Sequence, residues 1–209
     1  MLILASASES RKRLLDQVGI KHKVIISNVD ESRIDCSSVT ELVQKLSIKK
    51  AESVFNDISF QPENKFLDNS FIAILGCDSL FELNGNFYGK PSCPQEAFDR
   101  WKMMSGKSGF IHTGHCLAFR KLISGSKNAE NIPLMVKGVI STEIRFAHLR
   151  DEEIENYIFS REPMGCAGGF AIDGKAGVFI ESIKGCFSNV IGLSLPWLRT
   201  SLLQAKLNY

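Results

Sequence analysis

Asp78, Lys50, Lys90 and the basic run Arg11-Lys12-Arg13 are the residues whose types and placement suit chemistry on a polyanion. A carboxylate can accept a proton or flank a hard cation, and convergent Lys and Arg neutralise phosphate oxygens. Asp78 follows the apolar run 71–75, which reads as a central strand buried on both faces and ending at Gly76-Cys77-Asp78. Open α/β sheets place ligands at the carboxyl ends of such strands. An Asp there also suits a plain turn; lysines converging on it favour a site.

Two of those lysines have predictable positions. Over residues 39–55, Val39, Leu42, Val43, Leu46 and Val54 share one helical face. Lys50 projects onto the middle of that face and Lys49 towards its edge, so Lys50 must snorkel or meet an anion. Asn84-Gly85 is a strong hairpin signal that folds residues 86–90 back along 79–83. That register sets Lys90 opposite Ser79, one step from Asp78.

"LILASASESRKRLL" at the start of the chain is a short strand emptying into serines and then a helix. Ser8 is placed as N-cap, with Glu9 in the first turn and Arg11 and Arg13 close behind. Such an N-terminus offers N–H groups to an anion, and Arg adds forked donors suited to phosphate. Alone, the stretch reads first as a capped helix with a solvated basic face. "GNFYGKP" fails as a Walker loop, having three spacers, Pro91 for Ser/Thr and no helix starting at Lys90. Neither a G-x-G-x-x-G nor a G-x-S-x-G motif occurs. In "HTGHC", His112 and His115 point to opposite faces of a strand over 110–119 and chelate zinc poorly.

The elements that must hold these residues alternate. Leu14, Leu15 and Val18 take helical spacing with Gly19 as cap, and 24–26 reads as a strand. Residues 94–105 form a helix with Ala97, Phe98, Trp101 and Met104 inward, ended by Gly106. A strand over 110–119, a polar connection over 121–132 and a strand with Val136, Ile140, Thr142, Ile144 and Phe146 alternating come next. An acidic helix opens at Asp151, a glycine-rich stretch leads to a strand over 178–183, and a last helix is capped by Ser194. The pattern predicts one α/β domain over residues 1–209.

Bulk composition narrows the function. A net charge of +2 is too small to argue for nucleic acid, and no apolar run reaches membrane-span length. The direct entry into a strand argues against a signal peptide. Six dispersed cysteines with no C-x-x-C fit reduced thiols in a cytoplasm.

In order and spacing, "LILASASESRKRLL", "VDES", Lys50-Ala51, "GCDS…NGNFYGKP", "SGKSGFIHTGH", "EPMGCAGGFAIDG" and "SNVIGLSLP" resemble the Maf family of nucleotide pyrophosphatases over residues 2 to 199. "CDS", "HTGH" and "SNVIGLSLP" look most like its actinobacterial branch. The resemblance implies a mixed α/β fold of the inosine-triphosphatase type, with an elongated central sheet flanked by helices and two lobes around a cleft. It implies hydrolysis of nucleoside triphosphates to monophosphate and pyrophosphate with a divalent cation, Mg or Mn. By position it makes Asp78 the proton acceptor and a metal ligand with Glu31. It makes Ser8, Arg11, Lys50 and Lys90 the site's remaining polar and basic positions, assisted by Arg13. Asp173 falls at a position linked to base recognition. It also implies removal of modified nucleotides, a tie to cell-division arrest and a homodimer; a non-catalytic nucleotide-binding regulator is the rival reading. Two departures stand out. Glu9 replaces the family's usual proline, and Asp173 replaces a frequent glutamine, so a pyrimidine preference cannot be carried over.

Overall fold

The computed structural model describes residues 1–30, 36–59, 73–119 and 133–207. Glu31, the first two residues of the 71–75 run and the 121–132 connection lie outside the described residues. Among them the elements run β1 (Leu2–Leu4), α1 (Glu9–Gln17), β2 (His22–Val24), α2 (Val39–Ser59), β3 (Ala73–Leu83) and β4 (Asn86–Tyr88). There follow α3 (Pro94–Met104), β5 (Ser108–Phe119), β6 (Leu134–Phe146), α4 (Asp151–Phe159), β7 (Ile180–Lys184), α5 (Phe187–Ile191) and α6 (Leu195–Gln204).

Among the described residues seven strands form one mixed sheet, in the order β2-β1-β3-β5-β6-β7 with β4 paired to β3. β1 is parallel to both β2 and β3, a pairing that needs crossover connections, and the other pairs are antiparallel. The chain is thus mixed α/β, with an elongated sheet flanked by helices.

Several details differ from the sequence reading, four of them for a clear local reason. β3 does not stop before Asp78; β5 pairs it from Ala73 through Glu82 and carries it to Leu83. β2 ends at Val24, because its partner β1 ends at Leu4 and the last contact is Ile25 N–H to the Leu4 carbonyl at 3.1 Å. Ile26 is consequently exposed. β7 begins at Ile180, after a 3-10 turn over Lys175–Phe179 that leaves Val178 exposed. Val18 is an exposed C-cap residue rather than a core one, lifted out where Gly19 turns the chain at φ +71°.

Side chains alternate along β3, and its two faces meet different partners. Ile74 packs with Ala51, Val54 and Phe55 of α2. Leu75 and Cys77 pack on the opposite face with Leu14 and Leu15 of α1 and Leu198 and Leu202 of α6. Further along that second face, Phe81 and Leu83 belong to another cluster, with Trp101, Met104, Ile154, Tyr157 and Phe170. The apolar core is therefore interrupted between Cys77 and Phe81, where Asp78 and Ser79 stand.

Candidate active site

The interruption coincides with a gap in strand pairing. On one edge of β3, β1 pairs up to Leu75 and β4 pairs only from Phe81 onward. Residues 76–80 between them pair with no described strand on that edge. The gap is flanked by the polar exit of β1, residues 5–8, and by the loop after β4, residues 89–92. Consecutive residues of β3 point to opposite faces, so Asp78 and Ser79 offer the gap two differently built walls.

On the Asp78 side the wall is α2. Its backbone lies almost on the sheet: a Cβ added at Gly76 would stand 2.1 Å from the Ser47 carbonyl oxygen, and one at Gly114 2.1 Å from that of Val43. Gly114 is the β5 residue directly opposite Asp78. Only glycine allows this approach, and it brings Lys50 Nζ to 2.5 Å from Asp78 Oδ1. The side chains are 12% and 10% exposed. A lysine on an apolar helix face has met its anion.

On the Ser79 side the wall is α1. Ser8 caps it, accepting the Arg11 N–H at 3.4 Å, and Arg11 turns inward. Its Nε donates to the Gly192 carbonyl at 2.7 Å, Nη1 to Ser6 Oγ at 3.0 Å and Nη2 to Ser79 Oγ at 2.9 Å. Ser79 Oγ lies 2.9 Å from Thr113 Oγ1, its cross-strand partner. Asn189 completes this floor: its Nδ2 donates to Ile140 O and Thr142 Oγ1, both at 3.1 Å. Nη1 and Nη2 each carry a second N–H, so Arg11 is fixed in direction and still able to grip an anion bidentately. Cys77 lies within electrostatic reach of Arg11, Lys50 and Asp78, and burial pushes its thiol up to about 11. It stays protonated at neutral pH, so this edge offers oxygen ligands rather than thiolate.

Arg13 Nη2 donates to Asp173 Oδ2 at 2.9 Å, joining α1 to the glycine-rich segment after α4. Both Arg13 and Asp173, together with Lys90, act electrostatically on Cys166. These three charges thus gather around Cys166.

A family model described as "Maf-like protein" matches residues 1–205. Two Prochlorococcus marinus proteins, each named nucleoside triphosphate pyrophosphatase, are 49% and 48% identical to the chain. The first alignment covers 100% of this chain and 99% of the relative, the second 99% and 100%. A Synechococcus protein of the same name is 46% identical over 96% of this chain and 100% of its own. The chain belongs to the Maf family. These relatives lend nothing to an actinobacterial branch.

In this Maf-family chain the structure joins Asp78 with Lys50, Ser8 with Arg11, and Arg13 with Asp173. It does not set Lys90 against Ser79 by strand pairing, because β4 ends at Tyr88 and Lys90 rides exposed on the following loop. Arg11 reaches the Ser79 side of β3, whereas Asp78 meets Lys50 on the other. Glu9 is exposed and acts on Lys12, away from the floor. Glu31 falls outside the described residues. His112 and His115 have separate partners, as opposite faces demand: Glu82 and Ser141 for the first, the Ser194 N–H for the second. All six cysteines are free thiols. Among the described residues no helix is long and apolar enough to cross a membrane.

Sequence reasoning missed Ser6, Ser79, Thr113 and Asn189. Ser79–Thr113 was recoverable from the register of β3 against β5, since two hydroxyls facing each other inside a core need a polar reason. Asn189 lay inside a quoted motif but carried no spacing that marked it.

Proposed function

We infer that the chain hydrolyses nucleoside triphosphates to the monophosphate and pyrophosphate, the activity its relatives are named for, and that it does so at the open edge of β3. The observation that carries this reading is the nearly buried Lys50–Asp78 pair at an unpaired strand edge. Pairing there is interrupted at the same point as the core, and cations are built into both walls.

The geometry supports the following roles. Water attacks the α-phosphorus; a phosphorus–oxygen bond forms to the water and the bridging bond to the β-phosphate breaks. Asp78 accepts the water's proton and the pyrophosphate leaves with the bridging electron pair. Arg11, held by Ser6, Ser79 and Gly192, directs its remaining N–H groups at phosphate oxygens. Lys50 and Lys90 neutralise the polyphosphate, Ser8 caps the helix that aims Arg11, and Arg13 assists at the rim. Asp173 recognises the base edge through its acceptor oxygens, which favours a donor-rich or cationic modified base.

A divalent cation fits this donor set. The edge presents a carboxylate and hydroxyls while the adjacent thiol is held protonated. Mg²⁺ or Mn²⁺ takes one or two carboxylates and completes its shell from phosphates and water. Asp78 and Glu31 would hold it, and when bound it withdraws charge from the phosphate oxygens.

Turnover in oxygen-18 water tests the reading: the label enters the monophosphate. Label in the pyrophosphate would move the attack to the β-phosphorus. Nucleotide binding without pyrophosphate release would favour the non-catalytic regulator.

A further inference from the structure

Lys90 lies on a short loop, Gly89-Lys90-Pro91-Ser92, that is anchored at both ends by one helix. The Gly89 carbonyl accepts two hydrogen bonds, from Arg100 Nη1 at 2.6 Å and from the Gly168 N–H at 3.0 Å. Arg100 Nη2 donates to Glu96 Oε1 at 2.5 Å, one turn back on α3. Glu96 Oε2 in turn accepts from the Ser92 N–H at 2.7 Å and from Ser92 Oγ at 2.6 Å. Between these two anchor points Pro91 is buried, while Lys90 itself is exposed. The guanidinium also lies 4.8 Å from the centre of the Tyr88 ring, which fixes the end of β4 from which the loop departs.

We propose that Glu96 and Arg100 are positioning residues: a single ion pair on α3 clamps both ends of the 89–92 loop and fixes where the Lys90 ammonium meets the polyphosphate. The proposal rests on the reading of Lys90 as a phosphate contact.

A helix cap alone does not account for this arrangement. Glu96 could bond Ser92 without help, as a residue near the start of a helix often does. Arg100 is different. Its side chain is 3% exposed and stands on the same side of α3 as Ala97, Trp101 and Met104, where leucine would pack at no electrostatic cost. Charged side chains are rarely buried so deeply unless paired, because removing them from water costs several kcal/mol. Its Nε is buried with no hydrogen-bond partner among the described residues, a further cost. What the guanidinium gains is the Gly89 carbonyl, which already binds Gly168 of the glycine-rich segment. The clamp thus meets, at one carbonyl, the segment that carries Asp173, the partner of Arg13. A lysine on an unanchored loop would lose rotational and backbone freedom on each binding event; here that ordering is done on folding.

A double-mutant cycle on substrate kinetics tests the clamp. Lys90→Ala raises KM for the triphosphate about tenfold with a smaller effect on kcat, the pattern of a lost ground-state contact. Arg100→Met, which keeps the volume and removes the bond to Gly89, raises KM by a similar factor. The double variant is no worse than Lys90→Ala alone, because both act through one ammonium. If Lys90→Ala leaves KM unchanged, the phosphate-contact reading of Lys90 fails. If Lys90→Ala raises KM and Arg100→Met does not, or the two effects multiply, the clamp is overturned. Should Arg100→Met fail to fold, Glu96→Gln takes its place in the same cycle. It weakens the pair from its exposed end and is judged by the same two outcomes.

Discussion

Asp78 and Asp173 are both ion-paired carboxylates, and their partners separate them. Asp78 is paired with a lysine delivered from inside a helix face, whereas Asp173 meets an exposed arginine. An ionised carboxylate only accepts hydrogen bonds, while an amide offers a donor and an acceptor. Asp173→Asn is therefore expected to redistribute kcat/KM among triphosphates of different bases by about tenfold, the order of one hydrogen bond to a charged group. Equal turnover of every base by variant and parent would remove Asp173 from base recognition. At this scale the sequence was most legible where a residue violated its surroundings. Lys50 on an apolar face and Ser8 ahead of a helix both declared themselves. Ser6, Ser79, Thr113 and Asn189 did not, because small polar residues carry no local mark that tells a site from a solvated face, and the β3–β5 register that pairs Ser79 with Thr113 is a long-range contact.

Elements place these side chains through two close approaches. α2 rests on β3 and β5 at Gly76 and Gly114, and the β1 exit and the β4 loop leave the edge of β3 open between them. Gly114→Ala would set a Cβ 2.1 Å from the Val43 carbonyl oxygen, a contact the rigid helix backbone cannot relieve by a rotamer change. The variant is expected to lose about 2 kcal/mol of stability by urea unfolding. Its folded fraction is expected to lose turnover as Lys50 is displaced from Asp78. Parent-like stability and turnover would mean that α2 does not depend on this approach. The hairpin at Asn84-Gly85 and the helices were readable from turn chemistry and periodicity, with φ of +53° and +76° at the turn. The length of β3 was not. Its apolar pattern breaks at Gly76, Asp78 and Ser79, and only pairing with β5, a long-range contact, shows that the strand continues.

Over the whole molecule, the candidate site is built into the sheet that holds the fold together, so the groups that fold the chain adjoin it. His115 accepts the Ser194 N–H at 2.9 Å and stacks on Trp197, beneath α6. Burial, aided by Arg11, lowers its pKa from 6.5 to about 3. The unfolded chain takes up this proton below its ordinary pKa while the folded chain does not. His115 thus adds stability above that value and loses it progressively as pH falls from 6.5 towards 3. The loss approaches about 1.4 kcal/mol per pH unit within that window. His112 is also lowered by burial and adds with the same sign. Urea unfolding between pH 7 and 5 should show this slope in the parent and a shallower one in His115→Gln; identical slopes would contradict the assignment. Mixed α/β architecture and the order of elements were legible from alternation and caps. The division of the site between two faces of one strand was not, since no local pattern records which strand edge is left unpaired.

The central claim, that Asp78 is the proton acceptor for hydrolysis at the open edge of β3, is tested most directly by pyrophosphate release from Asp78→Asn. The panel should hold standard and methylated triphosphates, with and without Mg²⁺ or Mn²⁺, under conditions where chemistry limits turnover. The amide keeps the shape and cannot take the proton, so kcat should fall by roughly 10²–10⁴ with the fold preserved. A folded Asp78→Asn protein that releases pyrophosphate at the parent's rate would contradict the account.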